Sequence, residues 1–291
     1  MNEIRAALKT IKSKYFPLIK SLQTILLLIT GLAGFMSARC PVLNLSTLLE
    51  LTGSLFIAIS GSTVLNMWYD RDIDAIMPRT CNRPLSTGVI KPKDALIFGI
   101  ILSILGISWA LTVDLLYGLV VFAGLFFDVV VYTIWLKRKT AWSILWGGIA
   151  GGMPVLAGRI LGTGQFDWIG IALALGVLFW IPTHILTFSI RYHDDYQLAK
   201  IPTFPSTYSF QTTRIIIALS SVFTALAMGA AAYGVGLTWG FLRLMAVLSI
   251  GLFILAVRSL TKPSERITFG LFKYASLYML ASMLLMFFAG I

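Results

Sequence analysis

Cysteine, histidine and charge are all scarce in this 291-residue chain. Two cysteines, Cys40 and Cys81, with no C-x-x-C spacing, exclude a disulfide framework and a thiolate zinc or redox centre. Two histidines, His184 and His193, are too few for a His-rich metal site. Charged residues make up 12% of the chain, about half the roughly 25% of a soluble domain. In their place stand hydrophobic side chains, 58% of the total, with a mean hydropathy of +0.87. No polar surface could enclose so large an apolar share in water, so the bilayer is the solvent. The apolar runs are continuous and do not alternate, which excludes a porin-like barrel.

A membrane helix needs roughly 20 mostly apolar residues. Nine runs meet that need, at 16–36, 48–68, 95–113, 115–136, 144–162, 168–190, 215–233, 237–257 and 269–291. The third and fourth meet at Asp114, which implies a tight turn at the membrane surface. With the N-terminus in the cytoplasm, all but three of the 23 Lys and Arg fall on the inner side, the exceptions being Arg39, Arg159 and Arg243. This is the positive-inside pattern. It accounts for the net charge of +11 without nucleic acid, and it puts Cys40 outside and Cys81 inside, where they cannot pair. The expectation is an all-α integral membrane protein, a single domain over 1–291 with nine spans. The 1–15 segment is its cytoplasmic start, and the first helix is retained rather than cleaved as a signal peptide. Multi-pass insertion in the plasma membrane follows, with membrane lipid as the partner.

Five of the 12 acidic residues lie in two places. Asn66, Asp70 and Asp74 are four residues apart and share one helix stripe near the inner end of the second span. Asp72 lies off the stripe, toward a neighbouring loop or water. Oxygen ligands of this kind suit Mg²⁺, which pairs one or two carboxylates with substrate phosphates. A solvated acidic helix end balanced by Arg71, Arg79 and Arg83 is the plainer reading. The second place is Asp194-Asp195 after the sixth span, with Arg191 and Lys200 beside it. It reads either as a cap with an ion partner or as an opposite metal wall. Both acidic ends precede a proline-bearing polar loop, a weak internal repeat that would set them facing across a central cavity. Lys137-Arg138-Lys139 anchors the end of the fourth span on the same side. Asp128 is an acid inside an apolar run, which points to function or a specific partner, with Tyr132 a candidate donor to it. His184, in Pro182-Thr183-His184, is either a polar residue satisfied by a neighbouring helix, a haem ligand or a proton acceptor. Gly147-Gly148 and Gly151-Gly152 read as close helix packing.

The run Asn66-Met67-Trp68-Tyr69-Asp70-Arg71-Asp72-Ile73-Asp74, continuing through Arg79-Thr80 and Asn82-Arg83-Pro84-Leu85, resembles the first aspartate motif of the UbiA superfamily of intramembrane prenyltransferases. Its extended form is similar to the protoheme IX farnesyltransferase branch, as are Val131-Tyr132-Thr133 with Leu136-Lys137-Arg138, and His184 followed by Asp194-Asp195-Tyr196, Ile201-Pro202 and Pro205. The second acids are adjacent here, where many members space them four apart, and Lys200 stands where the branch usually shows Gly. The resemblance implies a nine-helix bundle that transfers a farnesyl group from farnesyl diphosphate to a vinyl group of haem B with Mg²⁺ as cofactor. It implies Asn66, Asp70, Asp74, Asp194 and Asp195 as metal ligands, and Asp70, Asp74, Asp195 and His184 as catalytic. Asn66, Arg79, Arg83, Lys137, Arg138, Tyr132 and Lys200 are implied as substrate contacts. Haem-handling or terminal-oxidase assembly proteins are the implied partners. Two other readings compete: a relative acting on a quinone precursor or glyceryl phosphate lipid, and a cation-coupled transporter with acids along its path.

Overall fold

The computed structural model describes residues 15–38 and 44–289. Cys40, Arg39, and Arg5, Lys9, Lys12 and Lys14 of the N-terminal segment lie outside them. The described residues are helical, with no strand among them. A 3₁₀ turn at Phe16–Ile19 leads into α1 (Ser21–Met36), followed by α2 (Leu45–Ile76), α3 (Pro92–Val113) and α4 (Leu115–Leu125), which passes without interruption into a π-helix, Phe126–Leu136. Then come α5 (Ser143–Thr163), α6 (Trp168–Arg191), the short α7 (His193–Leu198) and α8 (Phe204–Thr207), and finally α9 (Phe210–Val235), α10 (Trp239–Thr261) and α11 (Glu265–Ala289). Counting α4 with its π extension, eight helices among the described residues are long and apolar enough to cross a membrane, and α1 is a shorter apolar helix. This is the nine-helix bundle expected from the apolar runs.

Local chemistry sets the boundaries. Asp114 takes an extended backbone and accepts a bond from the Tyr117 N–H at 2.8 Å, capping α4 at the point where the two spans were expected to turn. Asn44, Asp167 and Ser209 cap α2, α6 and α9 in the same way. The first run differs from expectation, since it is broken at Lys20. Pro17 starts a tight turn that ends when Lys20 adopts a left-handed backbone, φ 42°. The Thr24 hydroxyl then takes up the Ile19 carbonyl at 2.7 Å. The remaining 16 residues of α1 extend only about 24 Å. α2, by contrast, runs past its expected end at 68 to Ile76, carrying Asp70–Asp74 on its last turns.

Consecutive spanning helices pack side by side, and α11 returns to α1, so the bundle closes as a ring. Small residues permit the closest approaches. A Cβ at Gly158 of α5 would collide with the Gly31 carbonyl of α1, and one at Gly152 would lie 2.8 Å from the Ala174 carbonyl of α6. The Gly-Gly pairs are therefore packing devices, as their spacing implied.

Candidate active site

Asn66, Asp70 and Asp74 share one face of α2 and are buried, at 9%, 1% and 5% exposure. Burial of two carboxylates needs compensation, which comes from elements distant in sequence. Lys137, just beyond the π-helix, donates to Asp70 Oδ2. Arg83, in the loop after α2, donates to Asp74 Oδ2 at 2.5 Å. Arg138 grips Asp72 with two bonds of 2.7 Å and also reaches the Tyr69 carbonyl at 2.8 Å. Each acid of the motif thus has its own cation. Arg71 and Arg79 do not serve in this role. Arg71 bonds the Trp68 carbonyl, and Arg79 stacks on Phe188 and Tyr192 of the α6 end. Burial by itself would lower the Lys137 ammonium, yet Tyr132 and Asp70 beside it raise it above the ordinary lysine value. The bond to Asp72 raises Arg138 likewise.

A polar lattice holds α2 against the π-helix. Asn66 donates to the Thr133 hydroxyl at 2.9 Å, which donates to the Asp128 carbonyl at 2.7 Å. Ser62 donates to Asp128 Oδ2 at 2.5 Å. This corrects the expected Tyr132–Asp128 bond. In an α-helix the two would stack one turn apart, but the wider π turn carries Tyr132 off that face. Its ring lies instead near the Lys137 ammonium, 5.7 Å away, and against Gly147.

The two acidic ends adjoin through apolar side chains. Ile73 and Met77 of the first pack in one buried cluster with Ala199 and Ile201 of the second, and Tyr196 closes over them. The carboxylates themselves do not converge: among the described residues, no three His, Cys, Asp or Glu side chains are placed to hold one metal ion. Asp194 and Asp195 lie on α7, partly or fully exposed, with no ion pair among the described residues. The donor set on α2 nevertheless suits a hard cation. Asp70 Oδ1 is buried without a hydrogen-bond partner, on the helix face it shares with Asn66 and Asp74, and such an orphaned oxygen calls for a ligand.

In the sequence Lys20 is one of the inner-side basic residues and nothing more. The structure sets it in the left-handed break before α1, where burial first and then Arg83 and Lys137 push its ammonium down to about 8, against the opposing pull of Asp128 and Asp70. Its neighbours Leu18 and Ile19 pack with Val64 and Met67 of α2. The non-glycine left-handed backbone is a tertiary feature with no sequence signal. His184 is stacked between Trp180 and Phe272, at 4.7 and 4.5 Å, and its Nδ1 meets the Ser276 hydroxyl at 3.1 Å. It is thus satisfied by a neighbouring helix. Phe272 links it to Phe188 and Tyr192, so that Trp180, His184, Phe272, Phe188 and Tyr192 form an aromatic chain leading to Arg79.

Residues 27–286 match the UbiA prenyltransferase family. The chain is similar to a protoheme IX farnesyltransferase of Archaeoglobus fulgidus, 41% identical over 79% of this chain and 81% of that one. It is also similar to the protoheme IX farnesyltransferase of Aeropyrum pernix, 36% identical over 90% and 86% of the two chains. Among solved structures, a digeranylgeranylglyceryl phosphate synthase shares the fold with a TM-score of 0.81 at 19% identity, over 96% of this chain and 98% of its own. A UbiA homologue from Archaeoglobus fulgidus bound to DMAPP and Mg²⁺ gives a TM-score of 0.68 at 16% identity, over 94% and 99%.

Proposed function

We propose, on the premise that this chain belongs to the UbiA prenyltransferase family, that it transfers the farnesyl group of farnesyl diphosphate to a vinyl group of haem B, giving haem O and diphosphate. The observation carrying the site assignment is the orphaned, buried Oδ1 of Asp70 on a stripe with Asn66 and Asp74. Asn66, Asp70 and Asp74 would hold Mg²⁺ on one side, with Asp194 and Asp195 lending charge from the other. When bound, the metal supplies Lewis-acid stabilisation of the departing diphosphate.

The chain's own residues do the rest. Lys137 and Arg83, now paired to the acids, neutralise phosphate oxygens when the diphosphate arrives, and Lys20 adds a third cation. Arg79 ties the two acidic ends together. The apolar helices keep water from the allylic cation formed as the C–O bond breaks. The terminal carbon of the haem vinyl group attacks that cation, leaving a cation on the carbon next to the ring; one water adds there and gives up a proton to the released diphosphate, completing the hydroxyethylfarnesyl group. His184 and its aromatic chain orient the acceptor ring. The charge asymmetry supports a plasma-membrane protein with a cytoplasmic N-terminus and a site opening to the cytoplasm.

The curated relatives favour haem over a quinone precursor or glyceryl phosphate lipid as acceptor. A transporter would need acids along a path, whereas among the described residues the acids above the motif within the helices that carry the site are Glu50, near the start of α2 and bonded to Ser46, and Asp128, bonded to Ser62. Membranes containing the protein, incubated with haem B, farnesyl diphosphate and Mg²⁺, are expected to yield haem O by mass. Folded protein that forms none would overturn the assignment.

A further inference from the structure

Beside the acidic stripe, a shallow, open cleft of about 650 Å³ lies on the surface at the end of the bundle, lined by Arg138, Lys139, Gln197, Lys200, Ser206 and Thr207 among others. Its charged lining is wholly cationic. Arg138 spends its guanidinium on Asp72 and the Tyr69 carbonyl. Lys139 and Lys200 are exposed and carry no ion pair among the described residues. Lys200 adopts a left-handed backbone, φ 54°, a conformation glycine takes freely and other residues disfavour. A lysine held there sets its charge at the cleft despite the local backbone preference.

Two further relations place the cleft. Arg138 follows Lys137, the partner of Asp70, and Ile201 of the cleft wall belongs to the buried cluster that includes Ile73 and Met77 of the motif helix. The cleft therefore abuts the site where the diphosphate is held. Close in sequence to Lys139 and Thr207 of its wall, Trp142 donates to the Tyr208 hydroxyl at 2.6 Å and packs edge-on against Phe204. Half-exposed aromatics with polar tips mark the depth at which hydrocarbon meets headgroups.

We propose that this cleft binds the carboxylates of the acceptor, with Lys139 and Lys200 as their partners, and so fixes which edge of the acceptor faces the apolar helices. The inference rests on the haem reading above. Haem B carries both propionates on one edge and its vinyl groups away from them. Anchoring the propionates in the cationic cleft leaves a vinyl edge facing the farnesyl group. Lys139 and Lys200 are specificity determinants on this account and touch no reacting atom.

The test uses the full chain in nanodiscs of phosphatidylcholine alone, with haem B and its dimethyl ester compared as acceptors. For wild type, esterification is expected to raise the acceptor KM about tenfold, as loss of a charge-assisted bond implies. Lys139→Gln combined with Lys200→Gly, the latter compatible with the left-handed backbone, should raise the haem B KM to a similar degree. The double variant should no longer distinguish acid from ester, and its KM for farnesyl diphosphate should stay unchanged. A double variant that still prefers the acid as wild type does would overturn the inference. So would a defect that appears only when anionic lipid is added, since the cleft would then be a headgroup site. Absence of haem O from wild type would overturn the functional reading and this inference together. Haem O formed equally well by all variants would overturn the inference alone.

Discussion

The ammonium of Lys137 is hydrogen-bonded to the carboxylate of Asp70, 67 positions earlier in the chain. The pair joins the end of the π-helix to the last turns of α2, and it leaves the other oxygen of Asp70 unpartnered. A buried carboxylate pairs with whatever cation is present, so the ammonium and a divalent ion act on the same group.

That relationship sets the first expectation. Asp70→Asn removes the charge both cations need, and kcat/KM should fall about a thousandfold, some 4 kcal/mol, while the protein remains folded in detergent. Lys137→Met should weaken farnesyl diphosphate binding yet leave Asp70 free for metal, raising Mg²⁺ affinity by equilibrium dialysis. Unchanged turnover in Asp70→Asn would contradict the metal role.

Lys20 stands in the break before α1, where the charges of Arg83, Lys137, Asp128 and Asp70 act on its ammonium. Lys20→Ala is expected to raise the KM for farnesyl diphosphate about tenfold, equivalent to one charge-assisted bond, with the acceptor KM unchanged. Lys20→Arg should recover most of the loss. Steady-state kinetics with each substrate varied in turn separates these outcomes from general misfolding.

His184→Phe preserves the stack between Trp180 and Phe272 and removes only the contact to Ser276. If His184 orients the acceptor, the KM for haem B rises several-fold and the Soret band of bound haem B shifts. An unaltered KM and spectrum would reduce the residue to helix packing.

At the other face, Arg159 bonds the Ser37 carbonyl of the α1 end and the Asp167 carboxylate that caps α6, the latter at 2.5 Å. Three helices meet in that contact, and Asp167→Ala should cost about 3 kcal/mol or more, read as a lower melting temperature with KM values intact. Burial works to raise the Asp167 carboxyl, but the bonds from Arg159 and Gly170 hold it below its ordinary 3.8. A depressed acid stabilises the folded state above its unfolded value and loses that contribution as pH falls through the folded value. The gap between wild type and Asp167→Asn should therefore be present at pH 7 and close below about pH 4.

Much of this protein is legible in its residues. Apolar runs and basic flanks depend on local composition and on transfer to lipid, so they mark the nine helices wherever they occur. The four-residue spacing of Asn66, Asp70 and Asp74 is likewise a property of one helix and needs no partner to be seen. The break at Lys20 is harder to see, because it depends on a backbone angle that packing against Val64 and Met67 enforces. The π-helix at Phe126–Leu136 is harder still, since its wider turn is held by a lattice to α2 and misplaces any face drawn at 3.6 residues per turn. Which cation answers which acid was also beyond composition. Sequence put Arg71, Arg79 and Arg83 nearest, yet Lys137 and Arg138 do most of the pairing from more than sixty residues away. Local propensity and solvent preference thus determined the helices and the acidic motif. Only the closing of the bundle decided the charge partners, because desolvation makes a buried carboxylate bind the cation that folding brings to it.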